Sequence, residues 1–205
     1  MVRRGIIRRR WWSAALAWWL GFVCLLRPGE LLNLRMGDIS LPEGDESVFH
    51  VLGAVVIIRR PKTRRIWREQ FVVCNDHALI RWLVWWTRDL TVSSSLFNLS
   101  RHMLVNHFKL LTDELGLAPC NYTLSSLRAG GATDHFQRNR NLGELQYLGR
   151  WKQPSTLQYY LHEAYAIHVT RQQFRGHSEC LEMLHAQVHL LERPPPRSLS
   201  VLVRR

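Results

Sequence analysis

Two arginines, a lysine and a tyrosine in this 205-residue chain stand in short motifs that follow one another in order. Arg27 opens R-P-G-E-L-L-N-L-R-M-G-D-I, Lys62 sits in P-K-T, Arg128 closes S-S-L-R, and Tyr160 follows Trp151 of G-R-W by nine residues. These types have a definite chemistry. A guanidinium is a planar fork that meets the non-bridging oxygens of a phosphate two at a time, so two arginines can clamp one phosphate. A phenol has a reference pKa of about 10, so at neutral pH it needs cationic surroundings and a proton acceptor before it can attack. An ammonium can protonate a leaving oxygen. Lys62 is the candidate for that role, being the only lysine between Arg27 and Arg128 in a turn between two strand-like runs.

The order of the motifs resembles the catalytic domain of the tyrosine recombinases, the phage-integrase family, over residues 10 to 165. R-x-x-E-L from Arg27, with Leu34, Asp38 and Ile39, matches the family's first box; the L-R at Arg128 matches the second; G-R-W, with Trp151 nine residues before Tyr160, matches the third. The resemblance implies an α+β catalytic domain, mainly helical with one small antiparallel sheet. It implies that Arg27 and Arg128 hold a phosphate of double-stranded DNA and that Lys62 protonates the leaving deoxyribose oxygen. Tyr160 would attack to leave a 3'-phosphotyrosyl bond, whose energy is kept for rejoining. Trp151 would donate its indole N–H to the phosphate and pack the site, with Glu30 and Asp38 as structural partners. The implied task is DNA integration or recombination by a homo-oligomer on DNA, without metal, nucleotide or other cofactor.

One position departs from the pattern. Ser125 stands where the family has histidine, three residues before Arg128. A hydroxyl can donate to a phosphate oxygen but cannot shuttle a proton near neutral pH, so the chain is either a slower recombinase or a decayed one. Tyr159 adjoins Tyr160, and neighbours on a helix point about 100° apart, so only one can be placed; the count of nine from Trp151 selects Tyr160. Arg59, Arg60, Arg64 and Arg65 around Lys62 are expected to contact the DNA backbone. For Arg150 a phosphate contact and a solvated charge both stay open.

The composition fits a polyanionic partner: 28 Lys+Arg against 16 Asp+Glu leave a formal charge of +12, which favours nucleic acid through counterion release. With 46% hydrophobic residues the chain can bury one full core. Cys24, Cys74, Cys120 and Cys180 lie apart with no C-x-x-C spacing and read as reduced residues of an intracellular protein. L-R-A-G-G-A-T and T-L-Q-Y-Y-L-H-E look like eukaryotic mobile-element members, which implies a nuclear location. An Arg-rich start before the apolar run Trp11 to Leu26 also resembles a signal segment. That run is shorter than the roughly 20 residues that span a bilayer, and a buried helix is the competing reading.

The elements must bring these residues together. After the first helix, Pro28 and Glu30 start a second through Arg35, ended by Gly37, with Arg27 at its start. Residues 48 to 60 and 64 to 74 read as an antiparallel hairpin with Lys62 near its tip. Asp76 caps a helix to Leu90, residues 101 to 116 form another, and Ser125 or Ser126 caps the one carrying Arg128, Gly130 and Gly131. Asn141 caps a short helix to Leu148, Pro154 starts the helix carrying Tyr159 and Tyr160, and a last helix is expected over 178 to 192. His177, Cys180, His185 and His189 have ligand-like spacings, but all lie within one helical stretch with no loop to wrap an ion, so no metal site is assigned.

The expected organisation is a catalytic-like domain over 10–192 and a basic, Pro-rich tail over 193–205, without the family's N-terminal core-binding domain. Two other function classes remain beside the recombinase: a DNA-binding remnant that has lost catalysis, and a membrane-associated protein led by Arg3 to Leu26.

Overall fold

The computed structural model describes residues 9–43, 53–59 and 69–161, together with residues 182, 186, 192 and 194; for residues 9, 10, 159 and 160 it describes the backbone alone. Seven α-helices and three short strands fill these ranges, so the α+β architecture with one small antiparallel sheet is present.

Helix α1, Arg9–Val23, is the apolar run, and it packs on several sides at once. Ala14, Leu16, Ala17, Trp18 and Leu20 are buried along it, and Trp12 stacks on Trp82 of a neighbouring helix at 4.6 Å between ring centroids. The buried-helix reading of this segment is therefore the correct one. No helix among the described residues is long and apolar enough to cross a membrane. The chain then turns sharply: Leu25 takes a left-handed φ of 50°, and α2, Pro28–Asn33, begins two residues after Leu26. It is shorter than expected. Leu34 is already extended, and a 3-10 turn over Met36–Asp38 replaces the rest.

The sheet has the order β1-β2-β3, with β1 Ile39–Ser40, β2 Ala54–Ile58 and β3 Gln70–Cys74. Ala54 pairs with Cys74 and Ile58 with Gln70, antiparallel as expected for the runs that contain them. The two-residue β1 pairs Ile39 with Val56 and had no periodicity by which to be seen. Ala54, Val56, Ile58, Val72 and Cys74 face the core.

Asp76 caps α3, His77–Thr87, by accepting from the Leu79 N–H at 2.9 Å, and Ser100 caps α4, Arg101–Glu114, in the same way. Helix α5, Leu124–Asn139, corrects one expectation: its cap is Thr123, whose own N–H donates to the Ser126 hydroxyl at 3.0 Å, so Ser125 lies inside the first turn. Its glycines meet α1 closely, and a Cβ on Gly131 would stand 2.1 Å from the Phe22 carbonyl oxygen. Asn141 caps α6, Leu142–Gly149, and Pro154 opens α7, Pro154–Tyr160. Leu25, Ala132, Leu145, Trp151 and Leu157 make a second, smaller core beside the main one. The expected helix over 178 to 192, its histidine and cysteine set and the basic tail fall outside the described ranges or touch them only at isolated residues.

Candidate active site

Arg27 is the N-cap of α2 and is tied to Glu30 three residues on. Its backbone N–H donates to Glu30 Oε2 at 2.8 Å and its guanidinium to Oε1 at 2.7 Å, while 28% of the side chain stays exposed. Pro28 at the first helical position fixes this start, since its missing N–H would have had no helical partner. Glu30 is buried and serves a second arginine. Arg150, from the turn after α6, donates to Glu30 Oε2 at 2.8 Å with a side chain only 7% exposed. Arg150 is thus not a solvated charge; burial pushes its guanidinium below the usual arginine value, Glu30 pulls it back up and the Arg27 charge adds to the fall. For Glu30, burial works to raise the carboxyl, but the Arg150 and Arg27 charges outweigh it and hold the group below its ordinary value.

Arg128, 5% exposed, reaches the same place from α5. One terminal nitrogen donates to the Leu25 carbonyl and the other to the Gly149 carbonyl. Both turns are held open by left-handed residues, Leu25 in the first and Arg150 in the second, which aim these carbonyls inward. The Leu25 oxygen also accepts from Arg150 at 3.2 Å. Trp151 completes the layer: its ring lies 4.5 Å from the Arg128 guanidinium carbon and packs so closely over Gly149 that a Cβ there would fall 1.6 Å from the indole. A face-on guanidinium is stabilised there by the ring's quadrupole.

Two guanidiniums, Arg27 and Arg150, therefore share the Glu30 carboxylate, and a third, Arg128, meets Arg150 at the Leu25 carbonyl. The order of Arg27, Arg128 and Trp151 was legible in the sequence; the Arg150–Glu30 pair was not, and Glu30 was read only as a structural partner. The one signal for Arg150 was its place in G-R-W.

Arg59, at the end of β2, donates to the buried Asp38 carboxylate and to the Gly37 carbonyl at 3.3 Å, and lies 3.5 Å from Glu69. It shares a cavity of about 410 Å³ with Glu30, Arg35 and Asp38. Glu69, at the other foot of the hairpin, shares a cavity of about 630 Å³ with Arg150, Trp151 and Lys152. Ser125 is exposed and lines a separate hollow with Pro28, Arg101 and Lys109. Lys62, Arg60, Arg64 and Arg65 lie outside the described residues, as does the Tyr160 side chain. Among the described residues no His, Cys, Asp and Glu group gathers as a metal ligand set.

No protein-family model and no curated protein matches this sequence. Solved structures do match. The XerH site-specific recombinase in a post-cleavage complex with palindromic difH substrate aligns with 75% of this chain at a TM-score of 0.59 and 19% identity. The pre-cleavage complex of XerH with difH substrate gives 0.58, also at 19% identity. The chain spans 43% and 44% of those two chains. It has the tyrosine-recombinase catalytic-domain-like fold.

Proposed function

We propose that this chain cleaves and rejoins DNA strands through a covalent phosphotyrosine. The observation that carries the reading is the convergence of Arg27, Arg128 and Arg150 around Glu30 and the Leu25 carbonyl, in a fold shared with a DNA recombinase. Charge on the non-bridging oxygens of a phosphodiester grows in transfer, and preorganised donors beside it lower the barrier without reorganising during the reaction. Arg27 is the exposed member and meets the phosphate; Glu30 holds its fork. Arg128 positions the turns on either side, and Trp151 covers it.

In the reaction, the Tyr160 oxygen bonds to phosphorus as the bond from phosphorus to the 5' oxygen breaks. The phenol proton leaves to solvent, and the Lys62 ammonium gives its proton to the departing 5' oxygen. Attack by the free 5' hydroxyl reverses each step and releases the tyrosine.

A second assignment of the nucleophile has its own support. Trp151 stands nine residues before Tyr160, but Arg150 stands nine before Tyr159, and it is Arg150 that bonds Glu30 of the first box. Tyr159 is then the attacking residue, by the same count.

The test is covalent trapping on a nicked DNA that loses its 5' fragment after cleavage. The chain should form an adduct that survives denaturation, with EDTA present. Arg27→Ala should slow its formation by about 100-fold, the usual loss on removing one preorganised donor. Binding with no adduct on any duplex would assign the chain to the other reading, a DNA-binding remnant.

A further inference from the structure

A hollow of about 540 Å³ opens between α4 and the start of α5. Its walls adjoin two members of the arginine cluster: Pro28 follows Arg27, and Ser125 stands three residues before Arg128 in α5. The α4 wall carries Arg101, Val105 and Lys109, whose spacing of four sets them on one helix face. All three are exposed. At 1.5 Å per residue, Arg101 and Lys109 leave the helix about 12 Å apart along its axis, a spacing for two phosphates and not for one. Among the described residues neither cation is in an ion pair, whereas Arg27, Arg59, Arg138 and Arg150 are each held by a carboxylate. Asp113, one turn beyond Lys109, is the opposing charge in the same hollow.

We propose that this hollow is a second DNA subsite, which takes two backbone phosphates of the strand beside the phosphate held by Arg27. It rests on the DNA-cleaving reading given under the proposed function. Arg101 and Lys109 each meet a phosphate, and each contact releases condensed counterions. Val105, 43% exposed between them, offers an apolar surface to the deoxyribose. The Ser125 hydroxyl donates to a phosphate oxygen, which needs no proton shuttle, and the start of α5 adds the positive end of the helix dipole. Such contacts fix the position of the duplex without reading its bases. The motifs could not show the subsite, because Arg101 and Lys109 belong to none of the three boxes and meet Ser125 only in the fold.

The test is the salt dependence of binding to a fluorescent duplex of mixed sequence. With both cations replaced, Arg101→Gln together with Lys109→Gln, the log-log slope should become shallower by about 1.8, about 0.9 for each phosphate given up. An equal loss of charge elsewhere, Arg88→Gln with Arg138→Gln, should leave the parent slope, since neither residue lines the hollow. Asp113→Asn should tighten binding by up to about 5-fold, the reach of an exposed charge pair. All five side chains are exposed, so thermal unfolding should stay at the parent midpoint. At saturating nicked DNA the Arg101→Gln, Lys109→Gln protein should form its covalent adduct at the parent rate.

An unchanged slope in that variant would overturn the proposal, because no phosphate contact would have been lost. The same fall in the control pair would overturn it too, since net charge alone would then govern binding. A slower adduct at saturating DNA would give the two residues a part in the chemistry and contradict a binding subsite. A parent that binds duplex and forms no adduct would remove the cleavage reading and leave the slopes to decide the subsite. A parent with no affinity for duplex would remove both.

Discussion

Glu30 is the residue on which the arginine cluster depends, because two of the three guanidiniums use its oxygens and one of them is buried with it. Glu30→Gln keeps the shape but leaves Arg150 without a counter-charge. Breaking a buried pair from one side costs about 3 to 5 kcal/mol, so urea unfolding at neutral pH should show a loss of that order. The pH dependence follows from the lowered carboxyl of Glu30. Its stabilisation is complete above the ordinary carboxyl range and is lost as pH falls through the lower folded-state value. The parent should therefore lose stability on acidification in a way that Glu30→Gln does not, and parallel acid titrations of the two would contradict the pairing. At this scale the sequence was informative about side-chain identity and silent about backbone aim. Arg27, Arg128 and Trp151 stood out by motif. The left-handed Leu25, which turns its carbonyl toward Arg128 and Arg150, is a leucine with nothing beside it to mark the turn.

Helices were the most legible elements, because their caps are chemical signals. Asp76, Asn141 and Pro154 each begin a helix where expected. The sheet was less so, since both faces of Ala54–Ile58 are apolar and no alternation marks where the strand starts. The α5 start was missed by two residues because Thr123, Ser125 and Ser126 are all competent caps, and the geometry selects Thr123. The approach of α1 to α5 gives a test of the packing. Gly131→Ala must push α5 off the Phe22 carbonyl, and overpacking of this kind costs about 1 to 3 kcal/mol. Gly143→Ala meets only Asn141 Oδ1 at an ordinary 3.5 Å and should be neutral or gain up to about 1 kcal/mol of helix propensity. Thermal unfolding of the two variants checks the contrast; equal effects would mean that the helices do not approach as described.

Across the whole molecule the charge of +12 is the property that bears most on a partner. Affinity for duplex DNA should fall with salt at a log-log slope of about −0.9 per phosphate neutralised. Replacing Arg64 and Arg65 with Ala should weaken all sequences alike, because backbone contacts carry little base information. Salt-independent binding, or a loss confined to one sequence, would contradict the electrostatic account. The fold class was legible from motif order and cap spacing together. The charge pointed to nucleic acid but could not name a reaction, which depends on where a few buried side chains meet.

In the proposed mechanism one tyrosine of the pair in α7 joins covalently to DNA, and peptide mapping of the trapped adduct in the parent, Tyr159→Phe and Tyr160→Phe tests this directly. Reacting atoms must lie in line within about 3 to 3.5 Å, and neighbours on a helix point about 100° apart, so one hydroxyl alone can serve. A single modified tyrosine is expected, with loss of the adduct in one variant only and duplex binding kept in both. Modification at Tyr160 supports the Trp151 count and modification at Tyr159 the Arg150 count. An adduct on neither tyrosine, with strand cleavage that EDTA abolishes, would contradict the account.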